Sequence, residues 1–200
     1  MQHENFYLLT GGPGTGKTSL IHTLQHAGFK TVEEDARRII KEQIAIGGNA
    51  LPWANKELYA ICMFNASLSS FKQMEQRNYI EPIFFDRGML DAICYMRMES
   101  IPISEDIIRT LKRYTYRKKV FILPAWKEIY SQDNERKQSW EEAECTEVEM
   151  KRTYLEFGYE VIEVPKVAVS ERCQFILNNL GLMLVYLNCS NPFIAKLYLF

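Results

Sequence analysis

The chain has 200 residues, 47% hydrophobic and 24% charged, with a net charge of −1. This composition suits one domain with a packed core, with room for a small appended lid. It excludes a disordered chain, and the near-zero charge disfavours a nucleic-acid binder. Cys62, Cys94, Cys145, Cys173 and Cys189 stand singly without a C-x-x-C pair, so they read as reduced thiols of a cytoplasmic protein, not as a disulfide framework or zinc site. The first residues, Met1-Gln-His-Glu-Asn, do not form the basic-then-apolar pattern of a secretory signal.

Phe6 to Leu9 is a short apolar run closed by glycines and reads as a buried strand. Directly after it, Gly11-Gly-Pro-Gly-Thr-Gly-Lys17-Thr18 satisfies G-x-x-x-x-G-K-[ST]. Glycines there let successive backbone N–H groups turn toward phosphate oxygens, and the helix that follows adds the positive end of its dipole. Gly11, Gly12, Pro13, Gly14, Thr15, Gly16, Lys17, Thr18 and Ser19 are therefore the candidate nucleotide contacts. In this reading Lys17 reaches the β- and γ-phosphates and the Thr18 hydroxyl ligates Mg²⁺.

A helix over 17–27 ends at Gly28, and Lys30 to Val32 reads as the second strand. Glu33, Glu34 and Asp35 follow at its end. Clustered like charges raise at least one pKa and can supply a general base, whereas an acidic first helical turn explains Asp35 equally well. Between Glu33 and Glu34 the register is open, with Glu34 the preferred base. A helix over 35–46 stops at Gly47-Gly48, and Asn55 caps a long helix over 56–76. Trp53, after Pro52, either stacks on a base or packs.

Ile83-Phe-Phe is the third strand, and Asp86-Arg87-Gly88 lies at its end. Asp86 is a candidate Mg²⁺ ligand and Arg87 a candidate phosphate contact, the bland alternative being a helix-capping Asp beside a solvated Arg. A helix over 91–98 and one capped by Ser104 and reaching about Arg113 precede a fourth strand over 120–123. The basic run Arg109, Lys112, Arg113, Arg117, Lys118 and Lys119 reads better as a solvated helix end than as a nucleic-acid patch.

Pro124 to about residue 140 carries mixed charges and reads as a lid, with Arg136 the candidate cation and Lys127 and Lys137 lesser ones. The capping box Ser139-x-x-Glu142 opens a helix to about Phe157. A fifth strand over 159–164 and a helix over 170–180 complete the pattern. His22 and His26 share a helix face with no third ligand in view, so packing or a surface role outweighs metal binding.

Strands separated by helices predict an α/β three-layer fold, a five-stranded parallel sheet with helices on both faces, over about residues 1–180. Ligands in such folds sit at the carboxyl ends of the strands, where all these motifs fall. The apolar tail 181–200 is broken by Asn188-Cys-Ser-Asn-Pro192 and offers no clean membrane span. A hairpin, a partner-binding segment and a non-native extension are all compatible with it.

Phe6-Tyr-Leu-Leu-Thr-Gly-Gly-Pro-Gly-Thr-Gly-Lys-Thr, Glu34-Asp-Ala-Arg37, Leu51-Pro-Trp53, Phe85-Asp-Arg-Gly88 and Trp126-Lys-Glu-Ile-Tyr130 with Asp133 and Glu135-Arg136 together carry a resemblance. They resemble the predicted AAA-like P-loop ATPases, a family grouped with the ribosylnicotinamide kinase domain of the NAD-biosynthesis regulator (NadR-like). The resemblance spans about residues 4–180 and implies a nucleoside/nucleotide-kinase-like P-loop fold. More loosely, the chain is similar to deoxynucleoside kinases. By matching position, that similarity implies Glu34 as base, Asp86-Arg87 as the metal and phosphate pair, and Arg136 as the lid arginine.

The expected activity is Mg²⁺-dependent transfer of the ATP γ-phosphoryl group to a small, nucleoside-like acceptor. Its catalytic set would be Lys17, Glu34, Asp86, Arg87 and Arg136, with Thr18 and Asp86 toward the metal. The alternative is a nucleotide-dependent switch or ATPase that binds a partner without phosphorylating a small molecule. No N-K-x-D motif for reading guanine is present, which leans toward ATP. Neither a nucleic acid nor a membrane is an expected partner.

Overall fold

A computed structural model of the chain describes residues 3–130, 139–186 and 195–199. Strands β1 (Phe6–Gly11), β2 (Lys30–Val32), β3 (Ile83–Asp86), β4 (Lys119–Leu123) and β5 (Glu160–Glu163) form one sheet in the order β2-β3-β1-β4-β5. Every pairing in it is parallel; Leu8 stands beside Phe85 of β3 and Val120 of β4. Helices connect the strands: α1 (Lys17–His26), α2 (Asp35–Ile46), α3 (Lys56–Gln76), α4 (Met89–Met98), α5 (Glu105–Arg113), α6 (Trp140–Glu156) and α7 (Val169–Asn179). The expected α/β architecture is the one observed.

The central strands β1, β3 and β4 are apolar nearly throughout because both faces of the sheet are covered there, whereas the edge strands β2 and β5 keep exposed Lys30, Glu160 and Glu163. Period-two alternation divides them cleanly. Phe6 and Leu8 of β1, Ile83 and Phe85 of β3 and Val120 of β4 join one cluster with Phe64 and Phe71 of α3 and Ile93 of α4. Tyr7, Leu9, Phe84, Phe121 and Leu123 point the other way, onto Leu20 and Leu24 of α1 and Ile176 and Leu177 of α7. Phe71, fully buried, meets the rings of Phe6, Tyr114 and Tyr116 edge-on. Its truncation to alanine would cost about 3–5 kcal/mol, so α3 is firmly seated on the sheet.

Local signals set most helix starts. The Asn55 side chain accepts from Leu58 N–H at 3.0 Å, and Ser104 from Ile107 N–H at 3.4 Å. Ser139 and Glu142 exchange the two bonds of the expected capping box, at 3.2 and 2.7 Å. Two starts differ from the sequence reading. Helix α4 begins at Met89, two residues early, because Asp91 reaches back to accept from Gly88 N–H at 2.9 Å. Helix α7 begins at Val169, where Glu171 accepts from Ala168 N–H.

Two further strands, β6 (Leu182–Tyr186) and β7 (Ala195–Leu199), pair antiparallel with Leu182 opposite Leu199. Antiparallel pairing of these two strands matches the hairpin among the readings of the tail. Among the described residues no helix is long and apolar enough to cross a membrane.

Candidate active site

From β1 the chain crosses to β2 on one side of the sheet, whereas β3 leads to β4 on the other, so the crevice opens at the carboxyl ends of β1 and β3. The loop after β1 curls through Gly14 at φ 74° and Gly16 at φ 78°, conformations open to glycine, before α1 starts at Lys17. The Thr15 hydroxyl closes the loop by donating to the carbonyl of Gly12 at 3.0 Å. Lys17 is buried in spite of its charge, with its ammonium 2.6 Å from Asp86 Oδ1 and 4.0 Å from Glu34 Oε2.

Glu34 lies at the end of β2, its side chain 14% exposed, while Glu33 faces solvent. It accepts from Arg87 Nε at 2.8 Å and from Arg37 Nε at 3.2 Å. Burial pushes its pKa up, but Arg87, Lys17 and Arg37 outweigh burial and hold it at about 2. The expectation of a raised pKa in the acidic run is therefore wrong for Glu34. The raised carboxylate is Asp86 instead. Burial lifts it, Lys17 opposes, and the nearby Glu34 adds to the lift.

Asp86 is the last residue of β3 and does not cap α4, which removes the bland reading of this motif. Although Lys17 is close, Asp86 Oδ1 is buried without an aligned hydrogen bond. One such carboxylate oxygen and the exposed Thr18 hydroxyl at the start of α1 make a sparse oxygen donor set. It fits Mg²⁺, which takes few protein ligands and completes its shell with water and phosphate oxygens. No cluster of three or more His, Cys, Asp or Glu side chains among the described residues forms a self-contained metal site, His22 and His26 included.

Arg87 occupies the left-handed region at φ 71°, a strained conformation for a side chain with a Cβ. Its N–H donates to Leu9 O at 2.9 Å, which ties the turn to the phosphate-loop strand. The guanidinium is mostly buried, its side chain 16% exposed, and is held by carboxylates. Nε goes to Glu34 and NH1 to Asp91 Oδ1 at 3.2 Å. Burial alone would lower its pKa, yet Glu34, Asp91 and Asp86 raise it, so Arg87 stays charged.

Asp91 escaped the sequence reading. It is 8% exposed and accepts from Thr10 Oγ1, from Gly88 N–H and, at 2.6 Å, from the Tyr154 hydroxyl. A lone acid amid Met89-Leu90 and Ala92-Ile93-Cys94 was the available signal. Arg172 of α7 was missed too. It donates from NH1 to Thr15 O at 3.2 Å, beside the phosphate loop.

A cavity of about 660 Å³ joins these groups. Gly12 through Ser19, Glu34 and Arg87 line it, while Asp86 lies on an adjoining cavity with Thr18 and Glu34. Gly11 ends β1 behind the loop. The far arm of the larger cavity runs between α3 and α4 past Tyr59, Met63, Tyr95 and Met98, with Glu99 at its end. Tyr59 and Tyr95 meet edge-on at 5.5 Å. Burial and Glu99 push the Tyr95 hydroxyl up to about 12. Glu99 is paired with Lys56 at 2.5 Å.

Other candidates do not converge here. Trp53 is 65% exposed and neither packs nor lines the cavity. Arg136 and Lys137 lie outside the described residues, and Lys127 is exposed. Within the basic run, Arg109 pairs with Asp106, Arg117 with Glu4, and Lys118 and Lys119 donate to carbonyl oxygens. The run is therefore largely engaged within the protein.

Against known proteins, a family described as an AAA domain matches residues 6–172. The chain belongs to that family. No curated protein sequence matches it. Deoxyadenosine kinase from M. mycoides, solved with products, is 19% identical at a TM-score of 0.54, over 88% of this chain and 98% of that one. The NadR protein in complex with NR is 18% identical at a TM-score of 0.67 over 89% of this chain, which spans only 51% of NadR. Thymidylate kinase from Candida albicans is 12% identical at a TM-score of 0.59, over 88% and 90% of the two chains. At such identities these likenesses establish a P-loop kinase-like fold for this AAA-domain chain, NadR-like among its neighbours.

Proposed function

We propose that this protein transfers the γ-phosphoryl group of ATP to a hydroxyl of a nucleoside-like small molecule, with Mg²⁺. The observation that carries the reading is Glu34. It is an ionised carboxylate on the cavity that the phosphate loop shares with the apolar side chains of Tyr59, Met63, Tyr95 and Met98. Phosphoryl transfer depends chiefly on positioning and on compensation of charge, so the base need only orient the hydroxyl and take its proton late.

In this mechanism the loop from Gly12 to Thr18 cradles the phosphates and Lys17 turns to them. Thr18 and Asp86 would hold Mg²⁺, which supplies charge neutralisation at the transferring group. Glu34 accepts the hydrogen bond of the acceptor hydroxyl and then its proton. Arg87, fixed by Asp91, keeps Glu34 aimed and ionised. Arg136 is the proposed lid cation. The walls given by Tyr59, Met63 and Tyr95 suit an aromatic ring. Arg37, on the cavity wall, is already taken by Glu34, which favours an acceptor without a phosphate of its own. The scattered cysteines support a cytoplasmic setting.

The test is ADP release from Mg·ATP with and without a panel of nucleosides and nicotinamide riboside, with products read by mass spectrometry. Stimulation by one acceptor, with its phosphorylated form detected, is the expected result. A slow rate indifferent to every acceptor would overturn the kinase reading in favour of a nucleotide-dependent switch.

A further inference from the structure

Three of the four cations on the larger cavity have carboxylate partners. Lys17 has Asp86, while Arg37 and Arg87 share Glu34. Arg172 differs. It is 6% exposed, and its Nε is buried with no hydrogen-bond partner. Among the described residues no carboxylate lies within ion-pair distance of it. Its guanidinium instead stacks over Trp126, 5.4 Å from the ring centroid, and NH1 rests on the carbonyl of Thr15. Burial lowers its pKa, the direction in which an uncompensated buried cation is driven.

The guanidinium lies directly against the phosphate loop. A Cβ built on Gly16 would fall 2.8 Å from NH1 and 3.2 Å from NH2. Glycine at this position therefore serves the approach of Arg172 as well as the left-handed turn. A buried charge without a counter-charge costs free energy, and it persists where the surrounding structure holds it for a partner. Guanidinium offers only donors, so the partner is an acceptor, and an anion is the one that also cancels the charge.

We propose that Arg172 binds the phosphate chain of the donor nucleotide, as a cation brought from α7 to complete the phosphate loop. This rests on reading the loop as a nucleotide site and is independent of the acceptor. Trp126 keeps the guanidinium plane in place and lies at the start of the segment after β4. The residue that meets the phosphates thus also touches the root of the proposed lid.

Isothermal titration of Mg·ATP, Mg·ADP, AMP, adenosine and inorganic tripolyphosphate into wild type, Arg172→Met and Arg172→Lys tests this, with thermal unfolding of each free protein alongside. Arg172→Met should bind Mg·ATP and tripolyphosphate about 10- to 100-fold more weakly. AMP and adenosine should change by less than about 3-fold. Its free-state melting temperature should not fall, because the lost Thr15 contact is offset by removal of an unpaired buried charge. Arg172→Lys should regain part of the affinity. An equal loss for ATP and adenosine would put Arg172 on the base and overturn the proposal. Unchanged affinities with a lowered melting temperature would reduce Arg172 to a structural role. Failure of wild type to bind Mg·ATP would remove the nucleotide reading itself, whereas binding without any productive acceptor would remove only the kinase reading.

Discussion

Replacing Glu34 by Gln removes, at almost constant volume, the carboxylate on which Arg87, Arg37 and Lys17 converge. Burial opposes ionisation at this site, yet the three cations carry the pKa from 4.5 to about 2. That interval corresponds to about 3 kcal/mol favouring the ionised form in the folded protein. Because the folded pKa lies below the unfolded one, the contribution is complete above about pH 5. It is lost as the pH falls toward 2, with about 2 kcal/mol gone by pH 3.

Urea denaturation of wild type and Glu34→Gln across pH 7 to 3 reads this directly. The stability difference should be about 3 kcal/mol at pH 7 and shrink to about 1 kcal/mol at pH 3. A difference that holds constant over that range refutes the assigned ionisation. In the proposed reaction the same variant should lose about 10²- to 10⁴-fold in kcat while its Kd for Mg·ATP stays within about 3-fold. A parallel loss of ATP affinity would remove Glu34 as the hydroxyl-orienting group.

Asp91→Asn should lower stability by about 3 kcal/mol, a fall of roughly 6–12 °C in Tm for a chain this size, since Arg87, Thr10, Gly88 and Tyr154 all donate to that carboxylate. A double-mutant cycle with Tyr154→Phe should show coupling of about 1 kcal/mol or more, and simple additivity would contradict the shared bond. Gly11→Ala places a Cβ 2.5 Å from the carbonyl oxygen of Leu123 at φ 147°, so a loss above about 2 kcal/mol by urea titration is expected. A neutral result there would show that β1 and β4 pair less closely than described. Met63→Trp should fill the apolar arm and raise the acceptor KM at least about 5-fold with the ATP KM unchanged. Equal changes in both constants would mean that donor and acceptor do not occupy separate arms.

The sheet was legible because its central strands are apolar runs bounded by Gly, Pro or an acid, and because Asn55, Ser104 and Ser139 announce their helices chemically. The phosphate loop was legible because its glycines recur at fixed spacing next to Lys17. Asp91 and Arg172 were not, since each contributes through a contact spanning 63 or 157 residues, which no local pattern encodes. The start of α4 was misplaced for a different reason: its cap is local, Asp91 accepting from Gly88 N–H three residues back, but Gly88 carries no side chain to mark it. The lowered pKa of Glu34 was not legible, because counting neighbouring acids in sequence ignores Arg87, which arrives from the end of β3. Trp53 was overvalued, its aromatic character saying nothing about which way the loop after α2 turns it.

In the proposed reaction, the distribution of charge around the crevice gives a reason for a nucleotide and a metal ion to bind together. Lys17 leans on Asp86, and Glu34 is shared by two arginines, so cations and carboxylates largely cancel. Phosphate oxygens at the loop would draw Lys17 away, leaving Asp86 buried, already resistant to ionisation and short of a counter-charge. A divalent cation beside Asp86 and the phosphates restores that balance, whereas a phosphate chain alone worsens it for Asp86. Among the described cations lining the cavity, Arg172 is the one that needs no release from a carboxylate before it can meet the nucleotide. Affinity for the phosphate chain therefore depends on both ends of the family-matched region, the loop after β1 and the helix that closes it.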